Sequence, residues 1–129
     1  MRTRPEGQAG SAAVEFALVL PIVLVVALAL VQVGLLARDR LLVEAAARAG
    51  ARAAAVEADD GAIRAAALAA APDLDPSVST VQTVRTGTQG DPVTVTISYA
   101  EPIRVPLIGW LFGTSVQMEA VATDRQEFA

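Results

Sequence analysis

Carboxylates and hydroxyls are the side chains that could carry chemistry in this chain, because its 129 residues include no Cys and no His. Thiolate nucleophiles, imidazole acid–base catalysis, disulfides and Cys/His zinc sites are therefore excluded. Acids cluster at Asp59, Asp60, Asp73 and Asp75. Their spacing lacks the regular ligand positions and the terminal Glu of a calcium loop, so we interpret them as solvated turns and predict no metal site.

No group of residues is typical of a catalytic site. Ser occurs without His or Lys to activate it, no Gly-rich loop is arranged to hold a phosphate, and no pair of acids lies on a recognisable scaffold. The formal net charge of −4, without a basic patch interleaved with aromatics, gives no reason to expect nucleic-acid binding. The sequence predicts neither an enzyme nor a protein that needs a cofactor.

Glu15 is the acid that needs an explanation, because it stands at the front of a long apolar run. Residues 16–37 carry no charge, and Gln32 is their only clearly polar side chain. At about 1.5 Å per residue this run spans about 33 Å, which matches a hydrocarbon core of about 30 Å. A buried core helix in so small a protein would show polar residues at a 3.6-residue period. The run therefore predicts a single transmembrane helix.

Three interpretations of the N-terminus remain open. A secretory signal could be cut after Ala29, although the apolar run continues past that point without a polar region before the cut. The helix could instead be an uncleaved anchor, with Glu15 at the membrane edge near the positive end of the helix dipole. In the third interpretation the chain is cut before the helix and Glu15 acquires a charged partner. A partner is the usual expectation, because an ionisable group at the membrane centre costs about 2.5–3.5 kcal/mol.

The residues around Glu15 resemble the type IV prepilin processing site in the short form of the tight-adherence (Tad, or Flp) pilus systems. A basic leader, MRTRPEGQAG, ends at Gly10, and Ser11 with three small or apolar residues leads to Glu15-Phe16 and the apolar run. With the later RAGARAA helix, the chain resembles the TadE-like pseudopilin family. The resemblance implies that a prepilin peptidase cuts between Gly10 and Ser11. It also implies that Glu15 pairs with the new amine of a neighbouring subunit.

Residues 38–57 predict an amphipathic continuation of the helix, since Ala is the best helix former. Ala46 and Gly50 form a small-x3-small pair, and a Gly in mid-helix suggests close approach of another backbone, most simply that of the chain's own sheet. A further stripe of small and apolar residues lies at helical spacing on this segment. Its members are Leu42, Ala45, Ala49, Ala53 and Val56.

The pattern then predicts an α+β pilin-like fold. A short second helix is expected over 61–71, capped by Asp60 and stopped by Pro72. A period of two then predicts antiparallel strands over 77–86, 93–99 and 115–123, packed on the amphipathic half of the long helix.

The loop between the second and third strands holds Trp110, Leu111 and Phe112, in the most apolar stretch outside the predicted membrane span. Two interpretations stay open for it. The loop either caps the small sheet as core, or it forms a contact surface for a partner or a membrane.

These features divide the chain into a leader (1–10), a transmembrane helix (11–37), its amphipathic continuation (38–57) and a helix-plus-sheet domain (58–129). Arg residues on both sides of the span leave orientation open, but the leader requires the domain to be extracytoplasmic, and long segments translocate largely regardless of charge. We expect a minor pilin-like subunit of a Tad/Flp-type pilus or secretion apparatus in the cytoplasmic membrane. Its expected partners are a prepilin peptidase, other pilins or pseudopilins, and lipid.

Overall fold

The computed structural model describes residues 7–103 and 109–128. The predicted order of elements is confirmed: a long N-terminal helix, a short second helix and a three-stranded antiparallel sheet. The elements are α1 (Gly7–Val56), α2 (Asp60–Ala69), a 3-10 turn (Pro76–Val78), β1 (Ser79–Arg85), β2 (Pro92–Pro102), α3 (Gly109–Phe112) and β3 (Ser115–Arg125).

The sheet is an open meander with β2 in the centre. Both pairings are antiparallel, and Ile97 of β2 lies opposite Val81 of β1 and Ala120 of β3. Alternate residues of β2 point inward, and Val95, Ile97 and Tyr99 are almost completely buried. This face packs on the C-terminal half of α1, and α2 adds its own buried face to the same core. An antiparallel sheet with one apolar face must bury that face, and a layer of helices packed on it is the arrangement expected of an α+β fold.

Leu42 and Ala53 of the stripe at helical spacing pack at the margin of the core, but the face of α1 that meets the sheet is centred on other positions. Val56 of that stripe is 62% exposed. The buried face is rotated to a neighbouring set of positions, namely Val43, Ala46, Ala47, Gly50, Ala51 and Ala54. Because nine of the eleven residues over 45–55 are Ala or Gly, periodicity alone could not select a face there. The sheet packs on the face that carries Gly50, where the two backbones can approach most closely.

α2 begins with a different cap from the one predicted. Asp59, not Asp60, is the N-cap, and its carboxylate accepts hydrogen bonds from the backbone N–H groups of Gly61 (3.2 Å) and Ala62 (3.1 Å). Asp59 has an extended backbone, which lets its side chain turn back over the first helical turn. Asp60 is already helical and instead forms an ion pair with Arg85, 3.3 Å away.

We expect Asp59→Ala to destabilise the domain by about 1 kcal/mol, because it leaves helix N–H groups without their acceptor. Asp60→Ala should cost less, since the Asp60 carboxylate is 73% exposed and Arg85 keeps the Glu57 carbonyl as an acceptor. Thermal unfolding of the full chain in detergent, followed by circular dichroism, measures both. Equal losses would contradict the cap assignment.

Candidate membrane and assembly site

Ser11 and Glu15 form the polar start of α1. The Ser11 hydroxyl donates to Glu15 Oε1 at 3.2 Å, one helical turn away. Gly10 lies on the exposed surface of the same helix, and a Cβ added there would meet no described atom within 4 Å. The structure thus places the predicted processing residues together, on a helix end that a second protein can reach.

The helix surface that follows is apolar and uncovered. The most apolar 18-residue window of α1 has a mean hydropathy of 2.9, and none of it is buried inside the protein. Phe16, directly after Glu15, is 66% exposed. A core helix would be covered by the rest of the fold, so α1 fits a membrane anchor by length, composition and exposure.

Coverage of α1 begins before the apolar run ends. Leu28 and Ala29 are half-buried, and Gln32 is completely buried. Asp39, seven residues further on, is 3% exposed and lies 3.8 Å from the Arg38 guanidinium. The part of the protein that covers Gln32 therefore lies beside the last turns of the predicted transmembrane run.

Sequence reasoning missed these buried polar positions. In the sequence Gln32 is simply the one clearly polar side chain of the apolar run, and Asp39 is one of several charged residues that follow it. Their spacing of seven residues, continued by Val43 and Ala46, places them on one face of a helix. That spacing was the signal that could have identified the face covered by the domain.

Ala46 and Gly50 lie in the contact between α1 and the rest of the chain. Ala46 is completely buried. A Cβ placed on Gly50 would lie 3.0 Å from Val95 Cγ1 of β2 and 3.3 Å from Ala67 Cβ of α2. The close approach that a mid-helix Gly suggests is thus made by this chain's own sheet and second helix.

Trp110 lies on α3, the short helix in the loop between β2 and β3. Its residue is 80% exposed, so the indole is outside the core. The loop is closed at its base by Ile103 N–H, which donates to the Thr114 carbonyl at 3.1 Å. Gly113 turns the chain into β3 with φ +81°. The side chains of Leu111 and Phe112 lie outside the described residues, as do residues 104–108 of the predicted contact loop.

The clustered acids are occupied by structural contacts. Asp73 pairs with Arg38, and Asp75 accepts bonds from the Ser77 hydroxyl (2.7 Å) and the Ser77 N–H (2.8 Å). The bonds from Ser77 hold the pKa of Asp75 below its ordinary value. Because folding lowers this pKa, the stabilisation is present above the unfolded pKa and is lost as the pH falls through the folded one. Among residues 7–103 and 109–128 no group of three or more acids could hold a metal ion.

A groove of about 360 Å³ lies between α1 and the edge strand β3. Arg40, Glu44 and Arg48 line its α1 side, and Glu119 lies on its β3 side. Glu44 Oε1 is 3.1 Å from Arg40 Nε, and Glu44 Oε2 is 3.8 Å from Arg48. The α1 side thus carries a net charge of +1, which Glu119 on the β3 side balances, and the groove has the chemistry of a solvated surface.

A small α+β domain carried on one long apolar helix, with an acid at the start of that helix, fits a pilin-like arrangement in which the helix serves as a membrane anchor. Residues 10–52 match the family model described as TadE-like protein, which confirms the resemblance seen in the sequence over this segment. The match begins at Gly10 and ends two residues after Gly50, so it includes both glycines. No curated protein and no solved structure gave a significant match. The match covers 43 of the 129 residues.

Proposed function

We propose that this chain is a minor pilin-like (pseudopilin) subunit of a Tad/Flp-type pilus or secretion apparatus. It is inserted in the cytoplasmic membrane by α1, cut after Gly10 by a prepilin peptidase, and assembled through that helix with other pilins or pseudopilins. The observation that carries the proposal is the Gly10–Ser11–Glu15 arrangement at the exposed start of an uncovered apolar helix, where the TadE-like match begins.

Glu15 gives the assembly step its chemistry. In the uncut chain its described neighbour is the neutral Ser11 hydroxyl, which donates a hydrogen bond but leaves the negative charge uncompensated. Cleavage converts the Ser11 nitrogen into an amine that is positively charged at neutral pH. An ammonium group 4 Å from a carboxylate gains about 4 kcal/mol at an effective dielectric constant of 20 and about 1 kcal/mol in water. Pairing between neighbouring subunits is therefore favoured most where the helix starts lie away from water.

The remainder of the fold supports a structural role. Its core is apolar, and its clustered acids are held in ion pairs and turns. The peptidase would be a partner that acts on this chain. The helix-plus-sheet domain would then be extracytoplasmic, as a leader on the cytoplasmic side requires.

Processing is tested by the intact mass and N-terminal sequence of the protein recovered from its native membranes. We expect a chain that begins at Ser11. Gly10→Leu should block the cut, because a bulky side chain then precedes the scissile bond, while insertion and folding persist. Gly34→Leu is the matched control, since a Cβ at either Gly meets no described atom within 4 Å. Full processing of Gly10→Leu, or an N-terminus that retains MRTRPEGQAG in the native protein, would contradict the proposal.

The second candidate is an uncleaved single-pass anchor that presents a small interaction domain. The exposure of the apolar helix favours it equally, because an anchor needs no processing. The two functions differ at Glu15, which is an interfacial charge in the anchor and an assembly contact in the subunit. A chain still carrying its first ten residues would favour the anchor.

A further inference from the structure

We propose that α3 and Trp110 rest in the interfacial layer of the same bilayer that α1 enters, so that the domain contacts the membrane at two points. The inference uses only the anchoring part of the proposed function. It does not require cleavage after Gly10, assembly with pilins or a particular orientation. The inference is carried by the position of one exposed residue. Trp110 lies on α3, at the end of the sheet nearest the uncovered N-terminal half of α1.

The first step is the direction of the sheet along α1. Glu127 N–H, just after β3, donates to the Ala55 carbonyl near the C-terminal end of α1 at 2.7 Å. Arg125 of β3 lies opposite Pro92, the first residue of β2. Gly50 of α1 faces Val95. β2 therefore starts beside the C-terminal end of α1 and runs back toward its membrane half.

The second step is the level at which the sheet ends. From Val95 to Pro102 the strand advances about 23 Å at about 3.3 Å per residue. The same length of helix corresponds to about 15 residues at 1.5 Å each, which reaches from Gly50 to about residue 35. The burial of Gln32 and the packing of Leu36 against the core agree with this level. The end of β2 is thus level with the last turns of the apolar run over residues 16–37.

The third step places α3 at that end. Two residues, Gly113 and Thr114, join α3 to the start of β3. A two-residue connection spans at most about 10 Å between the flanking Cα atoms. The hydrogen bond from Ile103 to Thr114 closes the loop on the ends of both strands. Trp110 therefore lies near the level at which α1 leaves the predicted hydrocarbon region.

The chemistry of this level favours lipid as the occupant. Val31 and Val33 of α1 are 56% and 53% exposed there, so lipid covers them when α1 is inserted as an anchor. Trp110 on α3, which is 80% exposed, lies at the same level. Trp is favoured at membrane interfaces because its ring is apolar and its N–H can bond to water or headgroups. A second contact of this kind would limit rotation and tilting of the domain about α1.

The full chain offers a direct test, because Trp110 is its only Trp. The protein is reconstituted in phosphatidylcholine vesicles that contain lipids brominated either near the headgroup or near the chain end. We expect Trp110 emission to lie at shorter wavelength than that of a water-exposed Trp. Bromine near the headgroup should quench it more strongly than bromine at the chain end, and aqueous acrylamide should quench it only weakly.

Two control variants in a Trp110→Phe background calibrate the depth. Val26→Trp replaces a residue that is 54% exposed in the middle of the apolar run, and chain-end bromine should quench it most strongly. Val84→Trp replaces a residue that is 56% exposed near the far end of the sheet, and it should behave as in water. All three positions are exposed, so none of these changes is expected to unfold the domain.

The outcomes separate this inference from the function on which it rests. Water-like emission from Trp110, together with deep quenching at position 26, would overturn the lipid contact and leave α3 available to a protein partner. If position 26 also escapes bromine, α1 is not a membrane anchor and the inference fails with it. Shallow quenching of Trp110 supports the inference whether or not the chain is cut after Gly10.

Discussion

Glu15→Ala is expected to abolish incorporation of this subunit into the assembled apparatus, while membrane insertion persists or improves. Removing the carboxylate eliminates the group that pairs with a neighbour's amine. It also removes a charge that costs up to about 2.5–3.5 kcal/mol when placed at the centre of a membrane. Incorporation can be measured by cross-linking and co-purification of the subunit with other pilins from native membranes. The amount of protein in the membrane fraction reports insertion separately.

Two further variants identify the cause of such a loss. Glu15→Gln keeps the size of the side chain and an acceptor for the Ser11 hydroxyl but has no charge. We expect it to fail as Glu15→Ala does if charge pairing drives assembly. Glu44→Ala removes a glutamate from the same helix outside the apolar run, where its partners among the described residues are the exposed Arg40 and Arg48, and should assemble normally. Normal incorporation of Glu15→Ala would favour the uncleaved anchor.

Gly50→Leu is expected to destabilise the folded domain by about 2 kcal/mol or more, within or above the usual range of about 1–3 kcal/mol for overpacking. The added side chain must enter a space where even a Cβ would be 3.0 Å from Val95 Cγ1 and 3.3 Å from Ala67 Cβ. Val95 and Ala67 are both completely buried, so neither can move toward solvent. Leu has a better helix propensity than Gly by roughly 0.8–1 kcal/mol, so any net loss must come from packing.

The measurement is thermal or denaturant unfolding of the full chain in detergent, with the sheet signal in circular dichroism as the readout. Gly34→Leu is again the matched control, because it makes the same exchange on the same helix where a Cβ meets nothing within 4 Å. Gly50→Ala should be close to neutral, since a small displacement of Val95 is offset by the gain in helix propensity. Equal stability of the Gly50→Leu and Gly34→Leu proteins would show that α1 does not pack on the sheet at this point.

The strands were predictable because alternation is a strong local signal. Residues 93–99 alternate without error, and the structure extends that strand to Pro92–Pro102. The third strand was predicted over 115–123 and ends at Arg125. The first strand is shorter than predicted, because Pro76–Val78 forms a 3-10 turn ahead of Ser79. In that turn Asp75 accepts from Ser77, a local side-chain interaction that competes with strand pairing.

The face of α1 and the cap of α2 were less predictable, for different reasons. On an Ala-rich helix several faces are nearly equal in hydrophobicity, and only contact with Val95 and Ala67 selects the one that carries Gly50. In the pair Asp59-Asp60 both residues are good caps by type. The choice depends on which one keeps an extended backbone when α1 ends at Val56 and the chain turns into α2.

The sequence by itself determined that this protein has a long apolar helix able to span a membrane, an acid at the start of that helix and a small antiparallel sheet. Each of these follows from composition or from a repeat of short range, which is encoded locally. The sequence aligns Gln32 and Asp39 on one face of α1, but only the tertiary structure decided that the domain covers that face and that Trp110 is exposed. It also decided that α3, which carries Trp110, lies next to the end of β2 and the start of β3. These positions depend on the length and direction of β2 against α1, which are set by contacts between residues far apart in the chain.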